Sequence, residues 1–443
     1  MTQHDHDQQG YKAGSISLGG AVAMGTGVMI GAGIFALTGQ IAELAGPLFP
    51  LAFIVGAVIT GFSAYSYVKM SNAWPSAGGI GMILQKCYGP GAIAAGAALL
   101  MGLSMVIAES LVARTFATYL LRPFDIEGGP LVPAFAVGVI VFAFLINIAG
   151  NRSIGLFSMV MAVIKIGGIA LFGIAALWSS GFGFAAASRS GEDFGAAGFV
   201  ASVALAILAF KGFTTITNSG AEITNPHRNV GRAITISIAL CVAIYLLVAF
   251  GVGSSLTIDE IIAARDYSLA EAAEPALGQV GFLLTVLLAV VATASAVLAS
   301  VFAVSRMLAM LTDMEMIPHS HFGMSEPIQR HTLVYTVVIA SALAVFFDLS
   351  RIASLGAFFY LVMDMIVHFG VWRFRRREIG AAGPVLLAAF SFDALVLVAF
   401  TIMKLQSDPA IVAYAVSAIA AVFLFERFYL SRWLAPQRDD SHR

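Results

Sequence analysis

Long apolar stretches, each about 20 residues and nearly free of charge, recur along this chain and constrain its fold more than any other feature. In hydrocarbon every backbone N–H and C=O group must be paired within the chain, and a helix does this in one segment. Only 11% of the 443 residues are charged, whereas soluble domains carry about 25%. The sequence therefore predicts an integral membrane protein and excludes an ordinary soluble domain.

Hydropathy and length predict twelve transmembrane α-helices. The strand-like alternation of a membrane β-barrel is absent from the sequence, so the predicted fold class is all-α. The predicted spans are 16–42, 47–69, 91–121, 131–149, 154–178, 199–220, 231–256, 279–308, 332–347, 352–372, 383–404 and 409–430.

The distribution of Lys and Arg between the connections predicts the orientation. With the N-terminus inside, cytoplasmic connections hold 16 of these residues and external ones hold 5. Both termini are therefore predicted to be cytoplasmic, in the plasma (cell inner) membrane. The basic run RFRRRE at 373–378 fits a cytoplasmic stop beside anionic lipid better than a nucleic-acid site, so no nucleic-acid partner is expected.

Two spans carry an interruption near their middle. The first contains GTGVMIGAGIF at 25–35, with four glycines, each costing about 0.5–1 kcal/mol in a helix interior relative to alanine. The sixth contains Lys211 and Gly212 followed by the β-branched run TTIT. Five spans separate equivalent points, so the two halves have opposite orientations. Paired interruptions of this kind indicate a transporter binding site built on inverted repeats.

A helix that opens within the membrane frees polar backbone groups, and a ligand must satisfy them. Freed N–H groups at a positive helix end suit a carboxylate, and freed carbonyls suit an ammonium group, so a small zwitterion is the expected guest. The alternative is close helix packing through small residues, which is the commoner role of a single glycine run.

The segments GTGVMIGAGIF, PSAGGIGMILQKCYG (75–89), AFKGFTTITNSGAEITNPHRNVGRAI (209–234) and SRMLAMLTDMEMIP (305–318) resemble the amino acid–polyamine–organocation (APC) family, over nearly the whole chain. The resemblance implies a five-plus-five inverted repeat, the LeuT-like fold, with discontinuous helices 1 and 6. It also implies secondary transport of amino acids by alternating access. The implied division is a cytoplasmic tail 1–15, repeat one 16–178, repeat two 199–373, two further helices 383–430, and a cytoplasmic tail 431–443.

The same resemblance implies a substrate site at the two interruptions. Backbone amides of the first would meet the substrate carboxylate, carbonyls of both would meet its amine, and an aromatic residue would cover it. An alanine in place of a bulky polar residue, among apolar neighbours, hints at a neutral substrate. The implied residues are Met29, Ile30, Gly31, Ala32, Gly33, Leu208, Phe210, Lys211 and Gly212.

Lys211 departs from the family pattern, in which many relatives have an apolar residue before this glycine. It can pair with Glu109 or Asp364, contact a substrate side chain, or be an internally paired or snorkelling lysine. The sequence does not choose between these roles.

Lys165 lies near the middle of the fifth span, where the proton-coupled, sodium-independent branch of the family also has a lysine. The resemblance places its ammonium near the carbonyl of Gly27 and a hydroxyl of segment 8, either Ser300 or Ser295. Because burial penalises the charged form, Lys165 is a candidate proton-coupling residue, and a purely structural lysine is the alternative.

Glu109, Asp364 and His368 also lie within spans. Asp364 and His368 are four residues apart and share a helix face, which favours an internal ion pair over a proton relay. His319, His321 and the N-terminal HDHD lack the ligand set of a zinc site. No metal and no cofactor are expected, apart from the proton as coupling ion.

These patterns predict proton-coupled uptake of neutral amino acids. The alternatives are an amino acid or amine exchanger and, more remotely, a non-transporting sensor. An enzyme is not expected, because no nucleophile–base grouping is visible in the sequence. The expected partners are a small amino acid and the lipid bilayer, and a monomer is plausible.

Overall fold

The computed structural model describes residues 14–126, 128–149, 154–187, 194–314, 316 and 328–433. These residues form helices, short turns of other helix types and one isolated backbone bridge, which confirms the all-α prediction. The outermost tails (1–13 and 434–443), His319 and His321 lie outside the described residues. The helices are α1 (Leu18–Met29), α2 (Phe35–Ala45), α3 (Phe49–Ala73), α4 (Gly79–Tyr88), α5 (Ala92–Leu121), α6 (Leu131–Ala149), α7 (Ile154–Ser179), α8 (Ala196–Phe210), α9 (Thr214–Asn218), α10 (Pro226–Ser255), α11 (Ile258–Ala263), α12 (Ser268–Asp313), α13 (Ile328–Phe346), α14 (Leu349–Gly370), α15 (Gly383–Ser407) and α16 (Pro409–Trp433).

Ten helical stretches among the described residues are long and apolar enough to cross a membrane. Two shorter apolar helices, Leu18–Met29 and His331–Phe346, accompany them. The stretch Phe35–Ala73 counts as one, although a 3₁₀ turn at Gly46–Leu48 divides it and Gly46 adopts a positive φ of 57° there. The count of twelve crossings and the inverted repeat stay predictions.

The first interruption is a change of helix type. Residues Ile30–Ile34 form a π-helical turn between α1 and α2. The span is therefore helical through the glycine run, with the i→i+5 hydrogen bonds of a π-helix at this turn. A π turn within an α-helix leaves its carbonyls imperfectly paired and is frequent at functional sites. We expected the helix to be broken at this point, and instead it changes from α-helix to π-helix.

The second interruption has the same character. A 3₁₀ turn at Lys211–Phe213 follows α8, and α9 then runs for five residues before a further 3₁₀ turn at Gly220–Glu222. Asn225 then adopts a left-handed φ of 50° ahead of Pro226 at the first position of α10. Proline suits a helix start because it lacks the N–H that would have no partner there.

The connection between α10 and α12 is tied to the first half of the chain. Its helix α11 begins with a capping box in which Thr257 and Glu260 satisfy each other's backbone N–H groups. Beyond it, Arg265 forms an ion pair with Glu43, and Asp266 accepts a hydrogen bond of 2.6 Å from Gln40 of α2. These contacts join the connection to the C-terminal part of α2.

Candidate functional site

A cavity of about 520 Å³ lies where the two interrupted spans meet. The N-terminal half of the first span, with Gly27 and Val28, forms one wall, and α9 with Thr215 and Asn218 forms another. Helices α7 and α12 and Met105 of α5 contribute the other walls. The cavity opens toward the N-terminal end of the bundle, where Ser15 and Ser17 are exposed at its rim.

Apolar and thioether side chains make up much of the cavity wall. Methionine is flexible and polarisable, so it adapts to side chains of different shapes. The four methionines of the wall are Met24, Met105, Met161 and Met307.

The four glycines of the stretch 25–35 have different surroundings. A Cβ on Gly27 would meet nothing within 4 Å, and this residue faces the cavity. A Cβ on Gly25 would lie 2.5 Å from Ile216, and one on Gly33 would lie 2.7 Å from the carbonyl oxygen of Ala209. The packing explanation therefore holds for Gly25 and Gly33, whereas Gly27 leaves space in the cavity.

The hydroxyl of Tyr245, on α10, lies between one backbone carbonyl of each interruption and can donate its one proton to either. The hydroxyl oxygen lies 2.6 Å from the carbonyl oxygen of Met29 and 3.0 Å from that of Ala209. The ring is fully buried and packs on Phe210, with the ring centroids 4.9 Å apart. The sequence shows no sign of this role, since the single tyrosine of α10 lies in an apolar run whose spacing does not show what the hydroxyl contacts.

Replacing Tyr245 with Phe is expected to destabilise the protein by about 1–2 kcal/mol, because the ring stays while the buried carbonyls lose their donor. Thermal unfolding in detergent measures the change. Tyr119→Phe is the matched control, since Tyr119 is also buried, but its hydroxyl accepts from the backbone N–H of Leu269 and lies a long 3.5 Å from the carbonyl of Phe35, so it is a weak donor. Equal losses in both variants would contradict the role given to the Tyr245 hydroxyl.

The residues implied as substrate contacts lie mainly behind the cavity wall. Gly31 would place a Cβ 2.6 Å from Ala296 of α12, and Gly212 would place one 2.7 Å from the backbone nitrogen of Met29. The side chain of Ala32 lies outside the described residues. The other implied substrate contacts are buried around the interruptions and are not among the described residues that line the cavity. They are Met29, Ile30, Gly31, Gly33, Leu208, Phe210, Lys211 and Gly212.

Lys165 of α7 contributes its ammonium to the cavity wall and is only 4% exposed. Its Nζ lies 3.7 Å from the position that a Cβ would take on Gly31. Gly27 and Ser295 line the same cavity, whereas Ser300 is not among its described lining residues. Within the described residues, Nζ has no hydrogen-bond or ion-pair partner, so a buried cation faces an open space.

Lys211 points away from this cavity. Its Nζ donates a hydrogen bond to Ser104 of α5 and lies 5.5 Å from the ring centroid of Tyr360, a cation–π contact. Neither Glu109 nor Asp364 forms an ion pair with it among the described residues. Glu109 is fully buried, and neither of its carboxylate oxygens has a hydrogen-bond partner there.

An ion pair stands at the mouth of the cavity. Arg306 of α12 and Glu222 lie 2.6 Å apart, and both line the cavity. Next to them, the N-terminal segment pairs with the chain after Glu222 through two backbone hydrogen bonds of 2.9 Å, which join Ile16 to Glu222 and Thr224. The mouth is therefore bordered by charges and by a short backbone strap.

A double-mutant cycle with Glu222→Gln and Arg306→Gln is expected to give a coupling energy of about 1–3 kcal/mol in thermal unfolding, because the carboxylate is largely buried. The matched cycle uses Arg375 and Glu378, an exposed pair 2.7 Å apart, for which we expect less than about 1 kcal/mol. A coupling energy near zero for Glu222 and Arg306 would show that this ion pair does not stabilise the mouth of the cavity.

A family model described as "Amino acid permease" matches residues 16–425 of this chain. The chain is 29% identical to the inner membrane transport protein YbaT of Escherichia coli, over 83% of this chain and 85% of that protein. It is 27% identical to the branched-chain amino acid permease BcaP of Lactococcus lactis, over 78% of each chain. It is 21% identical to the serine/threonine exchanger SteT of Bacillus subtilis, over 84% of this chain and 86% of that protein.

Proposed function

The chain belongs to the amino acid permease family, and from that premise we propose that it takes up neutral amino acids together with protons across the plasma membrane. It is a multi-pass membrane protein whose relatives are transporters. The single observation that carries the finer proposal is the cavity between the interrupted spans, with the unpaired ammonium of Lys165 in its wall.

The lining of the cavity supports a neutral substrate. Its two described charges near the mouth, Glu222 and Arg306, neutralise each other at 2.6 Å. The remaining wall is rich in methionine and alanine, and its other polar groups are Lys165, Thr215, Asn218 and four serines. A cationic side chain would find no unpaired carboxylate among these lining residues. The ammonium of Lys165 could pair with an anionic side chain, but the proposal assigns this group to the proton, so an uncharged side chain fits best. Relatives named for branched-chain amino acids and for serine and threonine accord with this, whereas a relative named as a cationic amino acid transporter does not.

Proton coupling is assigned to Lys165. A lone ammonium in a membrane protein costs a few kcal/mol at mid-span unless it gains a partner or loses its proton. Protonated Lys165 would draw α7 toward a backbone carbonyl of the first span, near Gly27 or Gly31, and neutral Lys165 would not. The proton thereby acts on the same helices that line the cavity. This alternation is the proposed link between proton and substrate movement.

Uptake of radiolabelled amino acids into proteoliposomes tests the proposal, with the set of twenty compared in the presence and absence of an inward proton gradient. Gradient-driven accumulation of neutral amino acids supports it. Counterflow that ignores the gradient would instead favour an exchanger, which the name of one relative makes the leading alternative. Binding without flux would favour a sensor.

A further inference from the structure

A fully buried cluster of metal-ligating side chains lies apart from the cavity. Asp364 and His368 are on α14, and Asp393 is on α15, and all three are 0% exposed. One donor atom from each lies within 4.8 Å of the others. Asp364 and His368 are four residues apart, the spacing that places two metal ligands on one helix face.

The separations within this cluster are longer than those of charge-assisted hydrogen bonds and match those between two ligands of a common ion. His368 Nε2 lies 3.4 Å from Asp364 Oδ2 and 3.2 Å from Asp393 Oδ2. A charge-assisted hydrogen bond is about 2.7–2.9 Å long. Two ligands bonded at 2.0–2.1 Å to one tetrahedral ion lie about 3.4 Å apart. Among the described residues, Nε2 and both Asp393 oxygens have no hydrogen-bond partner.

Side chains of α3 support the cluster from outside. Ser66 Oγ lies 2.8 Å from His368 Nδ1, and an Nδ1–H donated to that oxygen leaves the Nε2 lone pair free for an ion. Ser63 donates to Asp364 at 2.5 Å, and Tyr67 also donates to this carboxylate. Metal-ligating side chains are typically oriented by hydrogen bonds of this kind.

Charge balance points to a divalent cation. With a neutral imidazole, the two carboxylates carry two negative charges in the interior of the bundle. No described Lys or Arg forms an ion pair with either of them. Buried charges without compensation are strongly destabilising. One divalent cation neutralises the cluster and gives the bare oxygens of Asp393 and Nε2 of His368 a partner.

We propose that Asp364, His368 and Asp393 bind one divalent transition-metal ion of the zinc class. The ion joins α14 to α15, and the hydrogen bonds of Ser63, Ser66 and Tyr67 extend the link to α3. The described residues lining the cavity include none of the three ligands, so the ion is proposed to join helices rather than to be transported. With three protein ligands, the fourth tetrahedral position is left to water or to the second oxygen of a carboxylate. The expectation of no metal came from the histidines of the loops and tail, and this site uses a histidine within a span.

The test is metal analysis of the full-length protein, purified without a polyhistidine tag and without added chelator. We expect about one zinc equivalent per chain in the wild type and less than about a tenth in Asp393→Asn. A strong chelator is expected to lower the melting temperature of the wild type, and added zinc to restore it. Asp393→Asn responds to neither reagent.

Glu109→Gln is the matched control, because it neutralises another fully buried carboxylate without hydrogen-bond partners, and it is expected to keep its zinc. If Asp393→Asn does not fold, the chelator and zinc titrations of the wild type decide. Wild-type protein with no metal, and a melting temperature indifferent to zinc and chelator, would overturn the proposal. A melting temperature that follows pH and not zinc would assign protons to the cluster, and would also overturn it. Metal content and melting temperature do not measure transport, so failure of the metal proposal would leave the proposed transport function untouched, and the reverse also holds.

Discussion

Replacing Lys165 with Gln is expected to abolish proton-driven accumulation while leaving exchange of substrate across the membrane. Glutamine keeps a polar side chain of similar length in the cavity wall but neither gains nor loses a proton near neutral pH. The proton gradient then has no titratable group at this position through which to drive uptake, although the substrate cavity is still present. Loss of net accumulation with retained counterflow is the signature of a coupling residue.

The size of the effect follows from the energy of the gradient. One pH unit is worth about 1.4 kcal/mol per proton, which sustains about tenfold accumulation at one proton per substrate. We expect the wild type to approach that ratio with an inward gradient of one unit, and Lys165→Gln to equilibrate at a ratio near one. Radiolabelled uptake at fixed external substrate, with the internal pH varied, measures both ratios.

Lys404→Gln provides the matched control for this experiment. Lys404 is another buried lysine in a helix long enough to span the membrane, near the end of α15, and it lies over the ring of Phe400 rather than in the cavity. Its replacement is expected to leave accumulation unchanged. Undiminished gradient-driven uptake by Lys165→Gln, or equal losses in the two variants, would remove Lys165 from the coupling step and favour the structural role.

The fold class was predictable because a bilayer admits few solutions for an apolar chain. Stretches of about 20 apolar residues require helices, and prolines and glycines such as Pro47, Pro226 and Gly46 predict where they begin and end. Helix α12 shows the limit of this reasoning. It begins at Ser268 within the predicted external connection and kinks at Gly278, where a positive φ of 69° separates its first turns from the span.

The candidate site was predictable in place but not in detail. The glycines of the first span and the Lys211–Gly212 pair of the sixth indicated which two spans meet at the cavity. A run of glycines and a lysine are unusual in the middle of a regular transmembrane α-helix, and the helix type changes at both positions. The sequence does not show which backbone carbonyls at the interruptions already have a donor, because the donor can be a side chain from another helix. Tyr245 of α10 is an example. Likewise, Asp393 joins Asp364 and His368 through packing of α15 on α14, which no local spacing reveals.

Replacing Gly27 with Leu is expected to reduce uptake about tenfold or more without loss of the folded protein. The Cβ position of Gly27 is free of neighbours within 4 Å, so the backbone tolerates a side chain. That side chain would occupy the cavity between α1 and α9, where the substrate is proposed to bind. A loss of about 1.4 kcal/mol in binding corresponds to a tenfold change in affinity. Initial uptake rates and the melting temperature are measured together.

Two further glycine variants separate blocking of the cavity from damage to the fold. Gly61 of α3 also has no neighbour within 4 Å of a Cβ, but it is exposed on the outer surface, so Gly61→Leu should leave uptake unchanged. Gly33→Ala should lower the melting temperature, because its methyl group would lie 2.7 Å from the carbonyl of Ala209. If Gly27→Leu transported as well as Gly61→Leu, the substrate would have to pass elsewhere. The cavity between the two interrupted spans would then no longer be the binding site.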